Sequence, residues 1–174
     1  MSSKLPSREQ AIQLLRKNGC PLKVISHCEE VAAVALEIAT KLQKKGISVD
    51  LKLVEAGALL HDIGRSKSNS VDHGVIGAKI TENEEMPKPL TNIVKRHVGG
   101  GITGKEAQLL GWSEDIYMPV TLEEKIVSYA DKITDQSKIV PIDVEIARLN
   151  AHGFKEAAGR VRKLHEEINS LLSS

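Results

Sequence analysis

The chain has 174 residues, enough for one domain with a real core. Its 41% hydrophobic and 27% charged residues describe a soluble globular protein, and a net charge of +1 without a basic stripe argues against a nucleic-acid partner. Aromatic platforms for single-stranded nucleic acid are few, and Cys20 with Cys28 makes no disulfide framework. The polar start and the lack of a membrane-length apolar run point to the cytoplasm.

No internal repeat, low-complexity tract or linker interrupts the chain, which is punctuated as a series of short helices. Ser7 and Gln10 form a capping box for a first helix. Pro21 suits the first turn of a second, which stops at Gly46. Val24, Val31, Ala35, Ile38 and Leu42 recur along it at helical spacing, with His27 on the same stripe. Asp50 caps a third helix that carries Leu51, Val54, Ala58 and His61, and Gly64 is placed to close it in a left-handed turn. Residues 65–71 read as a loop, His73 to Glu84 as a fourth helix, and Leu90 to His97 as a fifth beyond Pro87 and Pro89. Gly99-Gly100-Gly101 reads as a flexible break. Thr103 with Glu106 and Thr121 with Glu124 are further capping boxes, the second opening the helix of Val127, Tyr129, Ala130 and Asp131. Pro141 starts another helix, and Phe154 to Leu172 is the last. Short alternating segments of strand type are absent, so the expected fold is all-α, with eight or nine helices in a single domain over 1–174.

The chemistry concentrates in His61-Asp62-Ile63-Gly64-Arg65 and in an ordered set around it: His27 upstream, then His73, His97 and Asp131 downstream. Taken singly, most of these residues read blandly. A lone histidine on an apolar stripe is usually a hydrogen-bonded core residue, and His73 and His97 flank loops. Asp131 shares a helix face with Val127 and Thr134, however, and a carboxylate on a buried face needs a partner. Together, imidazoles and carboxylates are ligands for Zn, Mn, Fe, Co or Ni without any thiolate. His61 and Asp62 reach one pocket only near a helix end, where partial negative charge favours a cation. Six ligands exceed one tetrahedral ion and suit two octahedral ions sharing a carboxylate.

His27, His61-Asp62 and Asp131 resemble the signature of the HD-domain superfamily, metal-dependent phosphohydrolases of all-helical fold. The resemblance runs from about residue 20 to about 136, with the C-terminal helices at 141–172 beyond it. It includes the HDIG form of the core motif and Tyr129-Ala130-Asp131-Lys132-Ile133-Thr134. The stretch Met118-Pro119-Val120-Thr121-Leu122-Glu123-Glu124-Lys125 resembles small archaeal HD proteins. His73 and His97 are similar to the extra histidines of dinuclear subgroups that include a dinucleoside tetraphosphate hydrolase and cyclic-dinucleotide phosphodiesterases. The Gly-Tyr-Pro signature of the phosphodiesterases is missing.

The resemblance implies hydrolysis of a phosphate ester or anhydride, with a nucleotide as the substrate class. His27, His61 and Asp131 would hold one divalent ion and His73 and His97 a second, with Asp62 bridging and a water between the ions attacking phosphorus. Arg65 would hold a non-bridging oxygen, with Lys67 or Lys132 as substitutes. Three alternatives stay open: a mixed-valent di-iron oxygenase, a mononuclear enzyme in which His73 and His97 touch phosphate, and a non-catalytic nucleotide-binding sensor. Cys28 and Trp112 read as packing, and His152 and His165 as surface residues.

Overall fold

Ser7 accepts from Gln10 N while its own N–H donates to the Gln10 side chain, and this reciprocal cap starts α1, Arg8–Lys17. The structure, a computed structural model, describes residues 4–136 and 138–174. Helix α2, Leu22–Lys44, begins one residue after Pro21, which takes the capping position rather than the first turn. Its stripe of Val24, Val31, Ala35, Ile38 and Leu42 is buried, as the 3.6-residue period requires. Asp50 caps α3, Leu51–Leu60, by accepting from Leu53 N. Helix α3 is the central element: Val54, Ala58, Leu59 and Leu60 are fully buried, and it packs against α1, α2 and α5, Lys88–Arg96, and against α7, Leu122–Lys132. At Gly57 a Cβ would come 2.5 Å from Ile93 Cδ1, so α3 and α5 approach more closely than any side chain would permit.

The helix ends as αR at His61, not in a left-handed turn. Gly64 sits inside a short 3-10 turn, Ile63–Ser66, and is needed there for another reason. A Cβ on it would lie 1.8 Å from the carbonyl oxygen of His73, the first residue of α4, His73–Asn83. Gly99, Gly100 and Gly101 all have positive φ, and they form a packed turn rather than a loose break. A Cβ on Gly100 would meet Val161 at 3.2 Å, and one on Gly101 would meet Met118 Sδ at 2.6 Å.

Both threonine capping boxes are formed, opening α6, Gly104–Leu109, and α7. Two short strands, β1 (Thr134–Asp135) and β2 (Lys138–Ile139), pair antiparallel. They correct the expectation of no strand: two-residue strands carry too little alternation to register in the sequence. Helices α8, Ile142–Ala151, and α9, Lys155–Ser173, send Ile142, Ile146, Val161, Leu164 and Ile168 into the same core that holds Ala11 and Leu15 of α1. Each large aliphatic side chain fully buried there contributes roughly 1.5–3 kcal/mol. The described residues form nine α-helices, in line with the all-α expectation, and none is long and apolar enough to cross a membrane.

Candidate metal centre

Helices α3, α5 and α7 all end at one place. His61 and His97 are the C-caps of α3 and α5, Asp131 is in the last turn of α7, and His73 opens α4 beside them. Carbonyl ends of helices carry partial negative charge, so this convergence favours a cation before any side chain is counted. His27 comes from the stripe of α2 and is half-buried, whereas His61, Asp62, His73 and His97 are buried.

Three of the histidines are oriented alike. Nδ1 of His61, His73 and His97 each lies 2.7 Å from the carbonyl oxygen three residues earlier, on Ala58, Ser70 and Val94. A carbonyl only accepts, so Nδ1 carries the proton and Nε2 presents a lone pair to the centre. This is the tautomer a metal-ligating histidine needs. His61 Nε2 is buried and has no hydrogen-bond partner. It lies 3.4 Å from Asp131 Oδ1 and 3.7 Å from Asp62 Oδ2.

Asp62 divides the site. Its Oδ1 faces His73 Nε2 at 3.2 Å and His97 Nε2 at 3.3 Å, which are themselves 3.1 Å apart. Its Oδ2 faces His61 and, at 3.9 Å, His27 Nε2. His27 Nε2 is 3.0 Å from Asp131 Oδ1. Two sets of groups could hold an ion, each with ligand atoms within 4.8 Å of one another: His27, His61 and Asp131, and His61, Asp62 and His97. The structure thus brings all six candidate residues together. The donor set fits a divalent cation, since lone pairs and carboxylates crowded in a buried place repel unless a positive charge sits among them.

The proton affinities reflect that crowding. For His61, burial acts downward, but the Asp62 charge, Cys28 and the nearby Asp131 carboxylate outweigh it and raise it well above its ordinary value. Burial pushes Asp62 up, yet the charge of His61 and the adjoining His73 and His97 imidazoles hold it well below the usual carboxylate range. Asp131 is likewise held low against burial by Lys132, His27 and His61. Burial leads in pushing His97 down to about 4. With both carboxylates ionised, a proton among the imidazoles supplies compensating charge, and a metal ion would take its place.

Arg65 does not stand free over the pocket. Its Nε donates to Asp62 Oδ2 at 2.8 Å, and Nη1 reaches Asn69 O at 3.5 Å. Lys132 pairs with Asp131 and lines the adjoining cleft, whereas Lys67 is exposed. The centre opens on two sides of Arg65. One side is a cleft of about 760 Å³ lined by His73, His97 and Asp131, and the other, of about 460 Å³, is lined by His27 and Asp62. Cys28 is buried beside His61, and burial raises its thiol, which keeps it protonated and a poor ligand. Trp112 packs against Tyr117, with ring centroids 5.1 Å apart. His165 is a correction: it is half-buried, with Nδ1 2.9 Å from the Tyr129 hydroxyl. Helical spacing alone did not reveal that contact between α7 and α9.

Sequence reasoning also missed what holds His97. Ser128 Oγ donates to the His97 carbonyl at 3.1 Å. Arg96 Nη1, beside His97, meets both oxygens of buried Glu124 at 2.9 and 3.0 Å. Glu124 reads only as a capping residue in the sequence, although a cation just before a candidate ligand histidine is a signal.

The HD domain family matches residues 24–135, a segment that contains all six residues of the centre. The chain belongs to the HD domain family. This HD protein is 42% identical over 166 residues to the uncharacterized protein MJ0778 of Methanocaldococcus jannaschii, covering 94% of this chain and 98% of that one. It is 38% identical over 167 residues to a tRNA (cytidine(56)-2'-O)-methyltransferase of Picrophilus torridus, covering 96% of this chain and 48% of that protein. The chain thus spans about half the length of that curated relative. Among solved structures it is similar to the HD domain of L. monocytogenes phosphodiesterase PgpH, in complex with cyclic-di-AMP. There the TM-score is 0.57 at 20% identity, over 92% of this chain and 94% of that one, a likeness of fold.

Proposed function

We propose that the protein is a metal-dependent phosphohydrolase that cleaves a phosphate ester or anhydride, with a nucleotide as the substrate class. One observation carries the reading: the two oxygens of Asp62 face two different histidine pairs. A carboxylate so placed suits a bridge between two cations. His27, His61 and Asp131 would hold the first, and His73 and His97 the second. Divalent ions held there would supply an acidified water and positive charge against the phosphoryl oxygens.

The chain's own groups do the rest. The backbone carbonyls of Ala58, Ser70 and Val94 fix the imidazole tautomers. Arg65, held on Asp62 at the edge of the centre, would bind a phosphoryl oxygen there by charge-assisted hydrogen bonds. Lys132 balances Asp131 and presents a second cation to the larger cleft. The family match, the cyclic-di-AMP phosphodiesterase fold and the cleft beside the centre support a hydrolase and a small phosphorylated substrate. The core shared by α1, α2, α3, α5, α7, α8 and α9 supports reading 1–174 as one HD domain.

The test is metal analysis of the purified chain, then a phosphatase and phosphodiesterase panel with Mn²⁺, Co²⁺ or Ni²⁺. We expect about two ions per chain and hydrolysis that Asp62→Ala abolishes while the helical signal persists. Turnover surviving in Asp62→Ala would contradict the reading, as would iron content coupled to oxygen consumption.

A further inference from the structure

The larger cleft has a wall that lies outside the family-matched segment. Arg148 of α8, His152 and Phe154 of the following turn, and Ala157 of α9 line it together with the metal-centre residues His73, His97 and Asp131. Leu109 and Leu110, at the end of α6, face the same space. Phe154 is the only phenylalanine of the chain, and it is 60% exposed. Leu109 is 81% exposed and Leu110 44%. Its local role does not account for a phenyl ring there. Phe154 N donates to Leu149 O and Phe154 O accepts from Ala158 N, and these are backbone duties any residue can perform. Exposed apolar side chains gathered on a cleft mark a ligand surface.

Polar groups stand beside them. Arg148 is forked onto Glu145 at 2.8 and 2.7 Å. His152 Nδ1 lies 2.8 Å from Arg148 O, so Nδ1 carries the proton and Nε2 remains an acceptor. An apolar face with donor and acceptor edges suits a planar heterocycle. An alkyl tail would use the leucines and leave His152 Nε2 unused, and a bare sugar would not use the ring.

We infer that this wall is a specificity subsite for the base of a nucleoside phosphate, with Phe154 as its stacking platform. The inference rests on the hydrolase reading above, because it assumes that the phosphate of the same molecule sits at the metal centre. Base–aromatic stacking is a large effect, so losing the ring weakens binding roughly five- to a hundredfold.

The test uses the full chain and the fluorescent probe 2-aminopurine riboside 5′-monophosphate, whose emission is quenched on stacking. The parent protein is expected to bind and quench it. Phe154→Ala should bind it five- to a hundredfold more weakly with quenching relieved, and Phe154→Trp should restore both. Ile116→Ala, an exposed apolar change outside the cleft, should match the parent. In competition, adenosine monophosphate should displace the probe better than ribose 5-phosphate from the parent, and the advantage should collapse in Phe154→Ala. A probe that does not bind, or binding and quenching unchanged in Phe154→Ala, overturns the subsite. Hydrolysis of the same two phosphates is measured separately. Phe154-dependent binding without hydrolysis supports the subsite and removes the hydrolase reading, and hydrolysis indifferent to Phe154 does the reverse.

Discussion

Arg65 Nε lies 2.8 Å from Asp62 Oδ2, the same oxygen that faces His27 and His61. The guanidinium therefore stands at the edge of the candidate metal centre, 32% exposed, between its two openings. A hydrogen bond to a charged group is worth about 1.5–3 kcal/mol. Arg65→Ala should lower kcat/KM by roughly ten- to a hundredfold with metal content unchanged, because Arg65 is no ligand. Lys at this position should recover part of the loss, since it keeps the charge without the planar fork. Equal kcat/KM in Arg65→Ala and parent would reduce Arg65 to a partner of Asp62.

Gly64 tests the contact that sets His73. Its missing Cβ is what allows the 3-10 turn to touch the His73 carbonyl. Gly64→Ala should cost about 1–3 kcal/mol or more as the turn and α4 separate. Because His73 moves with α4, the variant should also hold fewer ions than the parent. Thermal melting and metal analysis read the two effects, and a variant with parental stability and metal content would show that the contact yields easily.

His97 gives the chelated protein a pH signature. Its folded value is about 4 against an ordinary 6.5, chiefly through burial. The unfolded chain therefore binds more protons between these values, and stability present above pH 6.5 is lost as pH falls toward 4. The gap corresponds to about 3 kcal/mol. His61, shifted the other way, adds its slope only above 6.5, while Asp62 and Asp131 add theirs below 3.8. Urea unfolding of the metal-free protein should show this loss, and His97→Asn should remove most of it. Matching slopes in the two proteins would place the titration elsewhere.

The sequence was most legible where a residue's role is local. The capping boxes at Ser7, Thr103 and Thr121 form as read, because each needs only four consecutive residues. That the six candidate residues converge was legible, because few other roles explain imidazoles and carboxylates in that order. What could not be read depends on distant partners. Gly64 reads as a left-handed cap, since nothing local reveals that His73 O packs against it. Glu124 reads as a cap, and its ion pair with Arg96 spans 28 residues. Arg65 reads as a contact to a phosphate oxygen, and only the folded turn shows it gripping Asp62. The exposed ring of Phe154 reads in sequence as the start of an ordinary amphipathic helix.

The central claim is that Asp62 joins two cation sites, and crystals grown with Mn²⁺ test it most directly through anomalous scattering. The account predicts two peaks roughly 3.5–4 Å apart. One should lie against Asp62 Oδ1, His73 and His97, and the other against Asp62 Oδ2, His27, His61 and Asp131. A single peak with His73 and His97 unligated would contradict it.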